Sequence, residues 1–269
     1  EAALPTDVRS LLTARLDRLP PPVKIVVQTA AVLGREFDLR VLAAMVRQEA
    51  TLPNQVAIAT RAAIWGAVAE ARYLFRHALL RDAAYEMQLR GQLRHLHHVA
   101  ADAIRQVYAE EPAPHYAELV YHYHQSEDDD NEREYARLAG RHAAEQYANQ
   151  DALRYFGRAL ELVSPVDTVL ATELHFAREN VLYVLGERDG QANDLAALET
   201  LVHADAALSA QLELRRARYL NLIGNYESAL DAAERAIEQA KLAGEISLAV
   251  RGLHRLGILL GLLGRYADA

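Results

Sequence analysis

The stretch Ala217-Arg-Tyr-Leu-Asn-Leu-Ile-Gly224-Asn-Tyr226-Glu-Ser-Ala229-Leu-Asp-Ala-Ala-Glu-Arg-Ala236 decides the fold. A small residue, a Gly-Asn turn, then an aromatic residue and two alanines at helical spacing describe a pair of helices folded back on each other. Gly and Ala let the two helices approach closely, so the pair packs through its small residues. The element Gly-x-Tyr-x-x-Ala returns 40 residues later at Gly264, Tyr266 and Ala269, preceded by Leu253, Leu256, Gly257 and Leu260. Upstream, Gly140, Ala152, Phe156 and Ala159 keep the same spacing, with Pro165 following. The step from Gly140 to Ala217 is 77 residues, about two units, which leaves room for a degenerate repeat with its turn at Gly186.

These are the spacings of a tetratricopeptide (TPR) pattern, in which each hairpin buries its open face only against the next one. Phe156, Tyr226 and Tyr266 are expected to fill the groove with the neighbouring hairpin. A generic helical bundle with chance small residues is the alternative, and three recurrences in register argue against it. The last hairpin reaches Ala269 early in its second helix, so the chain is expected to be a fragment of a longer solenoid.

Composition agrees with helices throughout. Of 269 residues, 51% are apolar but only 7% aromatic, enough to bury a core of alanine and leucine. The chain has no cysteine, which excludes disulfides, thiolate metal sites and cysteine nucleophiles. Neither a leader-like start nor eighteen consecutive apolar residues occurs, and the expected location is the cytoplasm. The net charge of -8 divides into +3 over residues 1–110 and -11 over 111–269, so the halves read as different domains. The acidic half is unsuited to nucleic acid, whose phosphates are neutralised by clustered Lys and Arg.

The N-terminal third reads differently. Thr6 or Asp7 can cap a first helix, which Pro20-Pro21-Pro22 stops. A second helix runs from Val23 to Leu33 and ends at Gly34, Asp38 can cap a third through Val46, and a fourth follows Pro53 to about Ala62. The segment from Ala63 to Phe75 has aromatic and branched residues on either side of a polar turn, the one candidate β-hairpin. Short helices followed by a hairpin form the pattern of a winged helix. Helices over about 77–89 and 92–109 carry the chain onward. The expected architecture is therefore all-α, with a winged-helix-like domain over 1–90, linking helices over 91–130 and a TPR-like α-solenoid over 131–269.

Leu4-Pro5-Thr-Asp-Val-Arg-Ser-Leu-Leu-Thr-Ala-Arg-Leu-Asp-Arg-Leu19, Ala30-Ala-Val-Leu-Gly-Arg-Glu-Phe37 and Phe75-Arg-His-Ala-Leu-Leu-Arg-Asp-Ala-Ala-Tyr85 occur in that order, followed by Arg94-His-Leu-His97 and Leu119-Val-Tyr-His122-Tyr. Together they resemble the region after the ATPase core in bacterial STAND signalling ATPases, including large LuxR-type regulators and proteins that append an ATPase and TPRs to an adenylate cyclase. The resemblance covers essentially the whole chain and is strongest over 4–163. It implies a non-catalytic regulatory and sensor module: the TPR superhelix would bind a protein, peptide or small inducer in its concave face. The winged helix would pack on the ATPase domain of the same parent chain. No cofactor is expected in this fragment, with ATP or ADP bound by the parent. Indeed no P-loop is present, since Lys24 precedes Ile25 and Lys241 precedes Leu242 where a phosphate loop needs Lys-Ser or Lys-Thr.

The same resemblance singles out His77. Phe75-Arg-His77-Ala-Leu-Leu-Arg81-Asp82 is similar to the motif whose histidine reaches bound ADP in related STAND proteins, which implies an ADP contact for His77 in the parent. The other reading is that His77 only caps or packs its helix. Arg76 and Arg81 rank below it, able either to support a phosphate or to pair with Asp82 and Glu86.

Other constellations carry less. Among eleven histidines, His95, His97 and His98 share a helix, and His115 and His122 a face, but no His-Glu-x-x-His is present and no metal site is expected. The run Glu127 to Asp130 lacks the glycine and distal glutamate of a calcium loop. A winged-helix DNA-binding regulator is a rival reading, yet the helix that would enter the groove offers only Arg61. The alternative from another class is a stand-alone TPR scaffold that recruits a protein without coupling to nucleotide.

Overall fold

The computed structural model describes residues 6–46, 50–202 and 205–265, with only the backbone given for 6–10. Among these residues lie fourteen α-helices and one small antiparallel sheet. The chain divides into two compact units, Glu1–Tyr135 and Ala136–Ala269.

In the first unit, α1 (Thr6–Asp17) stops short of the proline run, and α2 (Pro21–Val32) begins on it. Proline suits a first helical turn because its missing N–H has no intrahelical partner there. After Gly34 come β1 (Glu36–Asp38), α3 (Leu39–Val46), α4 (Leu52–Arg61), β2 (Trp65–Ala67), β3 (Arg72–Phe75) and α5 (Ala78–Glu86). The expected hairpin forms as β2–β3, with Trp65 opposite Phe75. The sequence did not reveal β1, which adds a third strand on the other side of β3, with Phe37 opposite Tyr73. Three residues are too short for an alternating pattern to register.

That extra strand matters because it delivers Phe37 to the core. The Phe37 ring lies 5.2 Å from Trp65 and 5.8 Å from Phe75, and both partners are 0% exposed. A two-stranded hairpin is marginal alone, and here the aromatic cluster anchors it to the helices. Asp38 ends β1 and, as expected, caps α3: its Oδ1 accepts the Arg40 N–H at 2.7 Å. Two further helices, α6 (Arg90–Val107) and α7 (Tyr116–Ser126), belong to the same unit. They pack on α2 and α3 through Val32, Met45, Ala100, Ile104, Leu119 and Tyr123.

Helix α8 (Asp129–Glu145) leads into the second unit, which continues with α9 (Asn149–Glu161), α10 (Thr168–Leu185), α11 (Arg188–Val202), α12 (Ala206–Leu222), α13 (Tyr226–Leu242) and α14 (Ile246–Leu262). From α9 onward each helix packs on the next, and α12 also meets α14. This is an α-solenoid of TPR-like hairpins. Its turns use residues that favour them. Asp167, Asp205 and Asn225 each accept the N–H three residues ahead, and Gly186, Gly224 and Gly264 take left-handed φ values of 73 to 79°. Tyr147 makes the corresponding turn between α8 and α9 at φ 58° without glycine.

The small residues act where the spacing put them. A Cβ on Gly140 would lie 2.6 Å from Cδ1 of Phe156, so the α8–α9 approach depends on its absence. Ala152, Ala159, Ala217, Ala229 and Ala236 are fully buried, as is Phe156.

Two expectations need correction. Tyr226 fills no groove: it is the first residue of α13, before the helix has turned inward, and stays 38% exposed. Gly257 has open space beside it, and the close approach in α14 falls at Gly252, where a Cβ would meet Cγ1 of Ile237 at 2.6 Å. The glycines Gly252 and Gly257 lie five residues apart, so they point to different faces and spacing alone chose the wrong one. Tyr266 and Ala269 lie outside the described residues. No described helix is long and apolar enough to cross a membrane.

Candidate functional site

The first helices of three successive hairpins, α10, α12 and α14, border a cleft of about 410 Å³. Asn180 comes from α10, Arg215 and Arg218 from α12, and Arg251, His254 and Arg255 from α14. No carboxylate lines it.

The one carboxylate tied to this cluster is buried. Glu179, 0% exposed, accepts from Gln191 Nε2 at 2.6 Å, from Arg218 at 3.0 and 3.1 Å and from Arg215. Arg218 also lies over the Tyr183 ring, 3.6 Å from its centroid, and Arg215 over Phe176 at 4.8 Å. These stacks and ion pairs hold both guanidiniums rigid. Burial lowers the Arg215 pKa below its ordinary value; Glu179 opposes this, while Arg218 and Arg251 repel and add to it.

The α14 cations are different. Arg251 is exposed and Arg255 half-buried, and among the described residues neither makes an ion pair or side-chain hydrogen bond. Four guanidiniums thus face one carboxylate, in a unit whose residues 136–269 hold 14 Lys and Arg against 18 Asp and Glu. The local sign is opposite to that of its surroundings.

Sequence reading missed this cluster, although a signal existed. Arg215 and Arg255 each stand nine residues before a turn glycine, Gly224 and Gly264, while Asn180 and Arg218 stand six before Gly186 and Gly224. Residues in matching repeat positions stack on one side of a solenoid. Net charge summed over half the chain hid the pattern.

A second buried group in this unit is self-contained. Asp194 accepts from His175 Nδ1 at 2.8 Å and from Arg178 Nε at 2.9 Å. Burial raises its pKa, but these two donors win and hold it below the usual carboxylate value.

In the first unit His77 is exposed, just beyond β3 and at the N-cap position of α5, with no capping hydrogen bond from its side chain. Arg76 is exposed beside it, whereas Arg81 turns away: its Nε donates to the Ala31 carbonyl at 2.7 Å, and its Nη1 pairs with Asp82. Arg81 therefore ties α5 to α2. A cleft of about 300 Å³ near Arg90 and Arg94 also holds cations, but both pair with Glu127.

The histidines singled out by sequence do not converge as a set of metal ligands. No group of three or more His, Asp or Glu suited to a metal is found among the described residues. Instead His97 and His122 form a buried pair, Nδ1 to Nδ1 at 2.9 Å, and Tyr85 Oη meets His97 Nε2 at 2.9 Å. With Tyr85 donating, His97 carries its proton on Nδ1 and donates it to His122; with Tyr85 accepting, the direction along the chain reverses. His115 instead stacks on Tyr108, 3.5 Å between centroids, and His98 faces Asp128 at 3.4 Å.

The pair predicts acid sensitivity. Burial first, then Arg81, pulls the His97 pKa down to about 4; burial and then His97 pull His122 to about 3. Below pH 6.5 the unfolded rings take up protons that the folded pair refuses, so stability falls as pH drops towards 4. The expected loss is about 3 kcal/mol for each ring by pH 4. Urea unfolding of the first unit should be nearly constant from pH 8 to 7 and weaken below pH 6.5, with a shallower slope for His122→Asn. Unchanged stability down to pH 4.5 would contradict the buried neutral pair.

Neither family models nor curated protein sequences give a match to this chain. Among solved structures, the chain is similar to that of a Signal Transduction ATPase with Numerous Domains (STAND) protein with a tetratricopeptide repeat sensor from Pyrococcus horikoshii, with a TM-score of 0.43 and 11% identity. The similarity covers 98% of this chain and 45% of that one, so this chain spans under half of that protein's length.

Proposed function

We propose that this chain is a non-catalytic sensor and interaction module whose solenoid binds an inducer or partner, and that it works as the regulatory part of a STAND-type signalling ATPase. The observation that carries the binding role is the α10–α12–α14 cleft, where rigid, stacked guanidiniums stand beside unpaired ones. Side chains in the same repeat position aim binding groups at one site, the way solenoids build recognition surfaces.

Coupling to an ATPase core rests on the first unit. Three helices, α2 to α4, with a sheet ordered β1-β3-β2 agree with a winged-helix reading. The exposed residues described on α4 are Pro53, Asn54 and Arg61, a single cation, which favours a protein-facing role over DNA. His77, exposed at the start of α5, has the freedom to donate to a phosphate of ADP. Effector binding to the solenoid would then shift the parent between a closed ADP state and an open ATP state.

The reading while nucleotide is left out is a TPR scaffold that only recruits a protein. The two part on the open reading frame before Glu1, where the first expects a Walker motif. In a parent that carries one, His77→Ala should release ADP faster and raise activity without inducer. Unchanged ADP retention would remove the latch role from His77.

A further inference from the structure

We infer that the cleft between α10, α12 and α14 takes a compact polyanion, a small molecule with two or more phosphate or carboxylate groups, gripped by Arg218, Arg251 and Arg255. This deepens the proposed binding role of the same cleft and rests on it.

Three independent observations carry the inference. The first is charge. Four guanidiniums and His254 gather against one buried carboxylate, inside a unit that is acidic overall. Like charges this close destabilise the free protein, and an anion between them would relieve the repulsion. The second is an unmet donor: Arg218 keeps its Nε buried with no hydrogen-bond partner. With no acceptor for its Nε among the described residues, this guanidinium is only partly satisfied by Glu179 and the Tyr183 ring. The third is the absence of any internal task for the α14 cations. Arg251 and Arg255 have no carboxylate partner among the described residues; Arg251 is exposed and Arg255 half-buried.

Size and sign narrow the ligand. About 410 Å³ fits a small molecule and is too little for a folded segment. The acidic unit around the cleft would repel an extended nucleic-acid backbone, whose binding needs a long cationic track. Arginine forks grip phosphate and carboxylate alike, two N–H donors to two oxygens, so both sources share this chemistry.

Titration calorimetry of the 269-residue chain with inorganic pyrophosphate, and separately with citrate, tests the inference. One site per chain is expected for at least one of them, weaker in 200 mM than in 50 mM NaCl because salt screens the contact. Preference for pyrophosphate assigns a phosphorylated ligand and preference for citrate a polycarboxylate. Arg251→Ala/Arg255→Ala should weaken binding at least tenfold, on the scale of one to two charge-assisted hydrogen bonds. Its thermal midpoint should hold or rise, because Arg251 and Arg255 lack ionic partners and their removal relieves repulsion within the cluster. Lysine at both positions should restore part of the affinity, keeping charge but losing the fork.

Absence of binding by both anions, or equal binding by the double alanine variant, overturns the inference. Binding of an acidic peptide with neither small anion overturns it too, while leaving the recruitment role intact. Failure of the wider reading would appear elsewhere, in the upstream reading frame and the His77 experiment.

Discussion

Glu179→Ala is expected to destabilise the second unit by about 3–5 kcal/mol, the cost of removing one partner from a buried ion-pair network. Its carboxylate joins three helices: Glu179 itself on α10, Gln191 on α11, and Arg215 and Arg218 on α12. Removing it leaves the Gln191 amide, fully buried, without that acceptor and brings Arg215 and Arg218 together with nothing between them. The repulsion that already lowers the Arg215 pKa would then act unopposed. Urea unfolding followed by circular dichroism gives the measurement. A second substitution, Arg215→Met, should recover part of the loss, since taking away a whole pair costs far less than breaking it. If Glu179→Ala unfolds within about 1 kcal/mol of the parent chain, the network is not what joins these helices.

Phe156→Ala should cost about 3–5 kcal/mol, the range for truncating a buried phenylalanine. The side chain is 1% exposed, and its ring fills the space that Gly140 leaves open between α8 and α9. A clearer signature comes from pairing it with Gly140→Ala. Alone, the added methyl meets the ring at 2.6 Å, and overpacking costs about 1–3 kcal/mol, partly offset by about 1 kcal/mol of helix propensity. In the Phe156→Ala background that methyl enters a vacated space, so the same change should stabilise. The sign reversal, read from a double-mutant cycle, isolates the Gly140–Phe156 contact. Additive effects would mean the two helices meet elsewhere.

Much of this fold is legible in the residues. Gly140, Ala152, Phe156 and Ala159 announced a hairpin and form one, because helix approach depends on local side-chain volume at helical spacing. Ala63 to Phe75 announced a hairpin through aromatic and branched residues on either side of a polar turn. Where expectation failed, the cause was tertiary. Strand β1 exists because β3 offers a free edge and the core accepts Phe37, facts that three residues cannot encode. Gly252 rather than Gly257 meets the neighbouring helix because the face that α14 turns to α13 is set by the whole packed interface.

The candidate site divides in the same way. The place of His77, after β3 and at the N-cap of α5, follows from local chain order, as the motif implied. The cationic cleft was not reached, although its arginines keep repeat register.

The residues alone specify that helices pair, where they turn and the small side chains of the α8–α9 contact, since these depend on periods of a few residues. Packing in three dimensions brings Asn180, two arginines of α12, and two arginines and a histidine of α14 to one cleft, with Glu179 buried to hold the α12 pair. The physical reason is that charge acts through space. Its balance at a point sums over residues up to 76 positions apart, from Glu179 to Arg255, and only stacking brings these within reach.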